Sequence, residues 1–347
     1  MLQNEARPEG ERLGKLLGGY IVTQLVASAV TLRIPDFLAE GPQTERTLAE
    51  LTGIGTNELR RYLDALEGLE LVQRVDGLVH GTALCKLLHH EAGLLHGHAR
   101  MSGTEYYDAW ACLSYALRTG RSAFEHVHGR GLWTYMSETP ELARSFARTM
   151  RFNSSHFWNE FEALYEFPER GLVVDLGAGD GTLLAEVLKG HPELQGIAVE
   201  QAAVVEQVRH TLQERGVSGR GTALAGDLLR EVPAGAELYL LKAVIHNWRD
   251  EEALQILGNV RRAITGGGRL LLIERSLDLE REGGLPSSIR DLTMLVLFGA
   301  RDRTLDENRA LLVAAGFVIE RVLTTRSGVH VLVAQAVPPR DTGPSSG

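Results

Sequence analysis

Cysteine is nearly absent: Cys85 and Cys112 are the only two in 347 residues. So few exclude a disulfide framework and a cysteine-based zinc site, and they fit a reducing cytosol. Positive charge is not in excess either. With 36 Lys and Arg against 45 Asp and Glu, the formal net charge is −9. That argues against a protein that holds nucleic acid through its phosphates. There is no secretory signal pattern and no long uncharged apolar run. The most apolar stretch, residues 13–34, carries Lys15, Gln24, Thr31 and Arg33. It is too polar to span a bilayer comfortably and is expected to be a helix buried against protein. Asn153-Ser154-Ser155 matches a glycosylation acceptor, which means nothing without export.

What is present begins with size. With 347 residues, 44% of them apolar, the chain can form one large or two modest domains with a sizeable core. Its strongest signal is residues 172–188, LVVDLGAGDGTLLAEVL. An apolar run meets Asp175, then Gly177, Gly179 and Gly181, then a helical pattern. That predicts a buried strand, a tight turn and a helix, with glycine where the backbone turns sharply or approaches a ligand. A helix N-terminus behind such a loop offers free N–H groups. The dinucleotide fingerprint would need glycine at position 182, where Thr182 stands. Alone, the loop fits any nucleotide-binding α/β domain.

Residues 1–10 are polar and expected to be disordered. Residues 13–31 read as a helix apolar nearly all round, hence buried, with a partner chain helping to bury it. Ile34-Pro35-Asp36 breaks that helix. A short helix over 47–51 follows, then a helix capped by Thr56 with Leu59, Tyr62, Leu63, Leu66 and Leu69 on one face. A hairpin about Asp76-Gly77 completes a winged-helix pattern. DNA binding is disfavoured, because the second helix sets Glu58, Asp64, Glu67 and Glu70 beside Arg60 and Arg61. A scaffold or dimerisation role fits better. His89, His90, His96 and His98, with His126 and His128 beyond, lack acid–histidine ligand spacing and read as a solvated loop, not a metal site. Residues 106–117 and 141–164 read as helices. The second carries Phe146, Met150, Phe157, Trp158 and Phe161, a spacing that suits a core face and a flat apolar substrate pocket equally.

Beyond the glycine loop, strands alternate with helices. Strands are expected at 196–199, 221–225, 237–243 and 269–273, and helices at 250–264, 289–298 and 304–315. The helix before the fifth strand is closed by Gly266-Gly267-Gly268. Residues 277–288 read as an insertion, a hairpin closes the domain over 317–336, and a polar tail follows. Alternation gives a parallel sheet, to which the hairpin adds an antiparallel strand. Ligands of such sheets sit at the carboxyl ends of the strands. Asp175, Glu200, Asp227, His246 and Glu274 all fall at or just beyond such ends. An acid in the position of Glu200 suits ribose hydroxyls. Asp227 can accept from an adenine amino group while Leu228 packs on the ring.

Four segments together resemble one family: DLGAGDG at 175–181, GDLL at 226–229, LKAVIHNWRDEEA at 241–253 and DLTMLVLFGARDRT at 291–304. The chain resembles the S-adenosylmethionine-dependent O-methyltransferases of the plant caffeate/flavonoid type and their bacterial relatives, which tailor polyketides, phenazines and similar natural products. The resemblance covers nearly the whole chain. It implies an α/β fold: a Rossmann-like class I methyltransferase domain, mostly parallel with a terminal antiparallel strand, preceded by a mainly helical winged-helix dimerisation domain. The boundaries it implies are a dimerisation domain over 1–100, a helical linker contributing to the substrate pocket over 101–165, the catalytic domain over 166–338 and a disordered tail over 339–347.

By the same resemblance, Asp175, Gly177 and Gly179 cradle the methionine part of S-adenosylmethionine. Glu200 holds the ribose, Asp227 and Leu228 meet the adenine, and Lys242 approaches the cofactor. His246 is the general base, oriented by Glu274 and by a second acid, Asp302. Met150, Asn247, Met294 and Phe298 face the acceptor. Asn247 stands where the plant pattern has Asp, and Asp302 where it has Glu. The shorter Asp302 is expected to reach the histidine less well. A neutral imidazole can take the proton of a phenol, whose pKa is about 10, as the oxygen attacks. The resemblance implies a small aromatic acceptor, S-adenosylhomocysteine as product, no metal, and a homodimer through the N-terminal domain. It implies a cytoplasmic enzyme that engages neither nucleic acid nor membrane. Two alternatives stand beside it: a relative that binds the cofactor but performs hydroxylation or a pericyclic step, and a winged-helix regulator that senses a small ligand. The pair His246 and Glu274 favours methyl transfer.

Overall fold

The computed structural model describes residues 2–264, 267–279 and 286–337. Residues 280–285 of the expected insertion, Gly266 of the glycine run and the tail from 338 lie outside the described residues. Two compact units divide the chain: Met1–Ala111 with Pro140–Thr149, and Cys112–Thr139 with Met150–Gly347.

In the first unit, helices Glu45–Thr52 and Thr56–Gly68 precede a hairpin of β1 (Val72–Val75) and β2 (Leu78–Gly81). Thr44 Oγ1 accepts the Thr47 N–H at 3.0 Å and caps the first helix. The second helix starts from Gly55 without a side-chain cap, so Thr56 is its first residue and not its cap. Leu59, Leu63 and Leu66 recur at helical spacing and are fully buried with Ile34, Leu48 and Val79. Asp76 and Gly77 both take positive φ, 52° and 78°, as a two-residue hairpin turn requires. Arg74 on the hairpin pairs with Glu45, Asp64 and Glu67, and Arg60 pairs with Glu45. The helix and wing thus spend these two cations on their own acids.

Two expectations fail here. The N-terminal residues are helical, with Leu2–Leu17 joined at Gly18 to Gly19–Thr31. Leu, Gln, Glu, Ala and Arg are good helix formers, and their propensity outweighs the polarity of the stretch. Its apolar residues are not buried within this chain: Leu13, Leu16, Leu17, Tyr20, Ile21 and Val22 are 44% to 71% exposed. Only Ala27, Ala29 and Val30 are buried. By length and composition alone, Pro8–Thr31 would also suffice to cross a membrane. The chain turns at Arg33, and Pro35 opens the short helix Ile34–Ala39, because a first-turn proline gives up no helical bond. Nor is the histidine tract a solvated loop. His96 is buried, its Nδ1 lies 3.0 Å from the Leu88 carbonyl, and it opens the helix His96–Gly103. His89 Nδ1 accepts from the Glu91 and Ala92 N–H groups. No group of three or more side chains able to hold a metal occurs among the described residues.

In the second unit, seven strands form one sheet: β3 (Gly171–Leu176), β4 (Leu194–Glu200), β5 (Gly221–Ala225), β6 (Leu238–Lys242), β7 (Arg269–Arg275), β8 (Phe317–Thr324) and β9 (Val329–Ala336). Their order is β5-β4-β3-β6-β7-β9-β8. The first five are parallel, and β9 lies antiparallel between β7 and β8. Apolar runs fill the central strands because both faces are covered. Leu238 and Leu240 pack on one side with Phe157, Trp158, Phe161 and the helix Thr182–Gly190. Tyr239 and Leu241 pack on the other with the helices Asp250–Ala263 and Leu305–Ala314. Of the ambiguous aromatics, Phe157, Trp158 and Phe161 are therefore core. The expected helix over 106–117 is broken at Cys112 into Glu105–Ala111 and Leu113–Thr119.

Strand order reverses between β3 and β6, which is where such sheets open a ligand crevice at their carboxyl ends. The two-residue period of a strand decides who meets there. Asp175, Glu200 and Lys242 share the face of Val173, Ala198 and Leu240, whereas Glu274 lies on the face of Leu270 and Leu272.

Candidate active site

The glycine loop leaves β3 with its three glycines at φ of 68°, 60° and 82°. A Cβ on Gly177 would lie 2.7 Å from Val244 Cγ2, and one on Gly181 would lie 2.7 Å from Val208 Cγ1. A Cβ on Gly179 would meet nothing within 4 Å. The outer two glycines serve packing, and the middle one leaves space open beside the strand ends. Glu200 closes the loop from β4: its Oε2 accepts the Gly179 N–H at 2.9 Å and its Oε1 the Gln201 N–H at 2.8 Å. Burial raises the Glu200 carboxyl above its ordinary value. Asp175 is 2% exposed and its Oδ2 has no hydrogen-bond partner. Burial pushes its carboxyl up to about 7, against the pull of the nearby Lys242 ammonium. Lys242 is itself held below its ordinary value by burial, against Asp175 and Glu274. Its Nζ donates to Ser154 Oγ at 3.2 Å and lies 5.9 Å from the Phe157 ring centre. Asp180, inside the motif, accepts from the Thr182 N–H at 3.1 Å and from Arg151 Nε at 2.8 Å. It fixes the start of the helix Thr182–Gly190. At the end of β5, Asp227 Oδ1 accepts the Leu229 N–H at 3.0 Å and its carboxylate is 51% exposed. Leu228 is half-buried against the core, its carbonyl taken by Asn259.

The second half of the site grows from β6. Ala243 adopts a left-handed φ of 54°, a strain of roughly 1 kcal/mol for a residue with a Cβ. This reversal leads into the single turn Ile245–Asn247. Glu274 Oε1 accepts the N–H groups of Val244, Ile245 and His246 at 3.1, 2.8 and 3.4 Å. Its Oε2 lies 3.7 Å from His246 Nδ1, too far for a hydrogen bond. Asp302 makes that bond instead, with Oδ1 at 3.2 Å. The expected roles are therefore redistributed. Glu274 chiefly grips the backbone of the turn, and the shorter Asp302 reaches the ring because its loop lies closer. Asp302 is pinned from behind, accepting Arg290 Nε on Oδ2 at 3.0 Å while its N–H donates to Asp291 Oδ1 at 2.8 Å.

Burial disfavours a charged His246, but Glu274 and Asp302 outweigh it and hold the imidazole above its ordinary value. Burial likewise opposes charge on Asp302, yet His246 and Arg290 hold that carboxyl below its usual range. In Glu274 burial prevails over the pull of His246, and the carboxyl is raised. With Nδ1–H donated toward these acids, Nε2 is left as the basic nitrogen.

Arg303, beside Asp302, has a side chain only 1% exposed. Its guanidinium donates to the Ile245 carbonyl at 3.0 Å, the Trp248 carbonyl at 2.9 Å and Asp250 at 2.7 Å. It clamps both ends of the turn that carries His246. Asn247 Nδ2 folds back to the Ala243 carbonyl at 3.2 Å. Met294 and Phe298 are half-buried on the helix Ser287–Phe298, which packs against the turn. The Phe298 ring centre lies 5.4 Å from that of Trp133. Met150 is half-buried on the helix Pro140–Phe161, whose Ser154 and Phe157 touch Lys242. Asp180, Arg290 and Arg303 escaped the sequence reading. The last two lie one residue before and within DLTMLVLFGARDRT, but nothing local marks one arginine as the partner of Asp302 or the other as the clamp of a turn some fifty residues earlier.

Residues 110–318 match the O-methyltransferase domain and residues 15–91 the O-methyltransferase dimerisation domain. Phenazine O-methyltransferase PhzM of Lysobacter antibioticus is 34% identical over 334 residues, spanning 96% of this chain and 98% of that protein. The solved structure of the mitomycin 7-O-methyltransferase MmcR superposes with a TM-score of 0.89 at 31% identity, covering 97% of this chain and 100% of that one. Aclacinomycin 10-hydroxylase RdmB of Streptomyces purpurascens is 32% identical over 328 residues, spanning 90% of this chain and 86% of that protein. With the His246 turn set beside a glycine loop at the switch point of the sheet, and with these matches along nearly its whole length, the chain belongs to the O-methyltransferase family.

Proposed function

We propose that this enzyme moves a methyl group from S-adenosylmethionine to a phenolic hydroxyl of a small aromatic natural product, with His246 as general base. The observation that carries the proposal is the His246 imidazole, held through Nδ1 by Asp302 at the carboxyl end of β6, with Nε2 left to accept a proton. The donor side fits the cofactor. Asp175 has a buried, unpartnered Oδ2, and Gly179 borders open space. An amino-acid ammonium and a nucleoside need such an acceptor and such room. When bound, S-adenosylmethionine supplies an electrophilic methyl group on a sulfonium. Asp175, Gly177 and Gly179 would hold its methionine part, Glu200 its ribose, Asp227 and Leu228 its adenine, with Lys242 alongside. Met150, Asn247, Met294 and Phe298 would face the acceptor ring.

The residues then divide the work. His246 takes the phenol proton at Nε2 as the oxygen becomes nucleophilic. Asp302 and Glu274 stabilise the imidazolium that forms. Arg303 and Glu274 keep the turn from moving, so that the base stays aligned, and alignment of the reacting groups supplies much of the acceleration. The exposed row Leu13, Leu16, Leu17, Tyr20 and Ile21 supports a homodimer, since an apolar patch of this kind on a family dimerisation domain suits a second copy. Light scattering should give twice the chain mass, and Leu16→Glu with Tyr20→Glu should give the single mass. Two free thiols fit a cytosolic location.

The decisive experiment incubates the protein with S-adenosylmethionine and a panel of phenols. Stoichiometric S-adenosylhomocysteine and methylated phenol are expected. A second reading, cofactor-dependent hydroxylation, is favoured only by the similarity to RdmB. Oxygenated product without S-adenosylhomocysteine would establish it in place of methyl transfer.

A further inference from the structure

We propose that Arg290 is a positioning residue that fixes Asp302 against His246 and holds down the basicity of that histidine; this rests on His246 being the base. Arg290 stands early in the helix Ser287–Phe298, its side chain 22% exposed. Its Nε donates to Asp302 Oδ2 at 3.0 Å, and its Nη2 reaches the Ser276 carbonyl at 3.4 Å. Asp302 is thus bonded through both oxygens, Oδ1 toward His246 and Oδ2 toward Arg290, with its N–H tied to Asp291. An aspartate side chain is short, so its 3.2 Å contact with the imidazole depends on the loop being anchored from outside. Arg290 is one anchor among three: the Asp302 N–H bond to Asp291 and the Arg303 guanidinium keep the acid within reach of the ring when Arg290 is removed.

The charge pattern gives Arg290 a second consequence. Glu274 and Asp302, both buried, face one imidazole. Two such carboxylates favour imidazolium, and an imidazolium accepts no proton. The cations that oppose them are Arg275 on β7, Lys242 on β6 near Glu274, and Arg290 behind Asp302. Asp291 adds a carboxyl beside the Asp302 N–H, and below the turn Arg303 is matched by Asp250, which also faces Arg301. Arg290 shares the Asp302 charge directly. Removing it leaves the ring as the side-chain partner of that carboxylate and tightens the proton on His246. The device suits a chain with Asp at position 302: the short acid comes close to the base, and an arginine moderates it.

The test follows His246 itself. Histidine rings labelled with 15N are titrated by NMR in the wild type, Arg290→Gln and Arg290→Lys, with His246 assigned by its loss in His246→Gln. The acid limb of kcat/KM is measured in parallel. Arg290→Gln should raise both the His246 midpoint and the acid limb by about half a pH unit or more, and Arg290→Lys should restore most of the difference. A His246 midpoint unchanged in Arg290→Gln overturns the proposal, whatever happens to stability. A midpoint that moves while the acid limb stays put supports the hold of Arg290 on His246 and removes His246 as the base.

Discussion

The glycine loop and the His246 turn sit at the ends of adjacent strands and touch through Gly177 and Val244, yet they are fixed by different means. The loop is fixed by its own backbone, through left-handed glycines and main-chain bonds to β4. The turn is fixed by side chains from elsewhere: Glu274 on β7, Asp302 and Arg303 after the helix Ser287–Phe298, and Arg290 within it. One half of the site therefore rests chiefly on its own seven residues, with Glu200 closing the loop and Arg151 holding Asp180. The other half can be undone from four places at a distance.

The largest expected effect is at the proposed base. His246→Ala should lower kcat by roughly 10²- to 10⁴-fold, while calorimetry shows S-adenosylmethionine binding as before. Loss of binding along with turnover would mean that the two halves are not separable. Next comes the clamp. Arg303→Leu leaves the Ile245 and Trp248 carbonyls without a donor and should destabilise the protein by about 3 kcal/mol in urea unfolding. A change under about 1 kcal/mol would show that the turn holds itself, as the loop does.

The glycines sharpen the contrast further. Gly177→Ala forces a Cβ onto Val244 at a left-handed φ and should cost about 2 kcal/mol. Gly179→Ala meets no protein atom and should cost only about 1 kcal/mol of backbone strain. It should nevertheless raise the Kd for S-adenosylmethionine about tenfold, because the new methyl enters the space proposed for the cofactor. Equal effects on binding from the two variants would deny Gly179 its separate role.

The smallest effect is in pH dependence. The folded pKa of His246 is raised, so activity should rise with pH through that raised value, above the ordinary imidazole range. Its contribution to stability runs the other way. It is fully present below the unfolded value near 6.5 and is lost as pH climbs through the folded one. Urea midpoints measured across this window, against His246→Gln, should converge as pH rises.

This contrast also explains what the sequence disclosed. The glycine loop lies in consecutive residues, and Asp175 and Glu200 fall at the ends of apolar runs that mark strands, so much of this half of the site could be read from the chain, while Lys242 came from the family resemblance. Strand positions were equally legible, because runs such as Leu238–Lys242 are apolar on both faces. Arg290 and Arg303 were not, since an arginine declares its partner only once the fold has brought them together. Nor was the exchange of roles between Glu274 and Asp302, which depends on distances of 3.7 and 3.2 Å that no spacing encodes. Polarity misled at the N-terminus, where helix propensity prevailed, and the histidine tract misled because its rings serve main-chain groups.

The reversed strand β9 has a consequence for how this protein is made. It covers the whole length of β7, setting His330 opposite Glu274, and Val331, Leu332, Val333 and Ala334 are fully buried. More than fifty residues separate the two strands along the chain. On the ribosome, β7 emerges several seconds before its neighbour at ordinary synthesis rates. During that interval the sheet ends in an open, apolar edge, the kind that recruits strands from other chains. The acid that grips the His246 turn thus lies on the strand most exposed to misassembly, and the yield of active enzyme depends on how soon the final hairpin arrives to cover it.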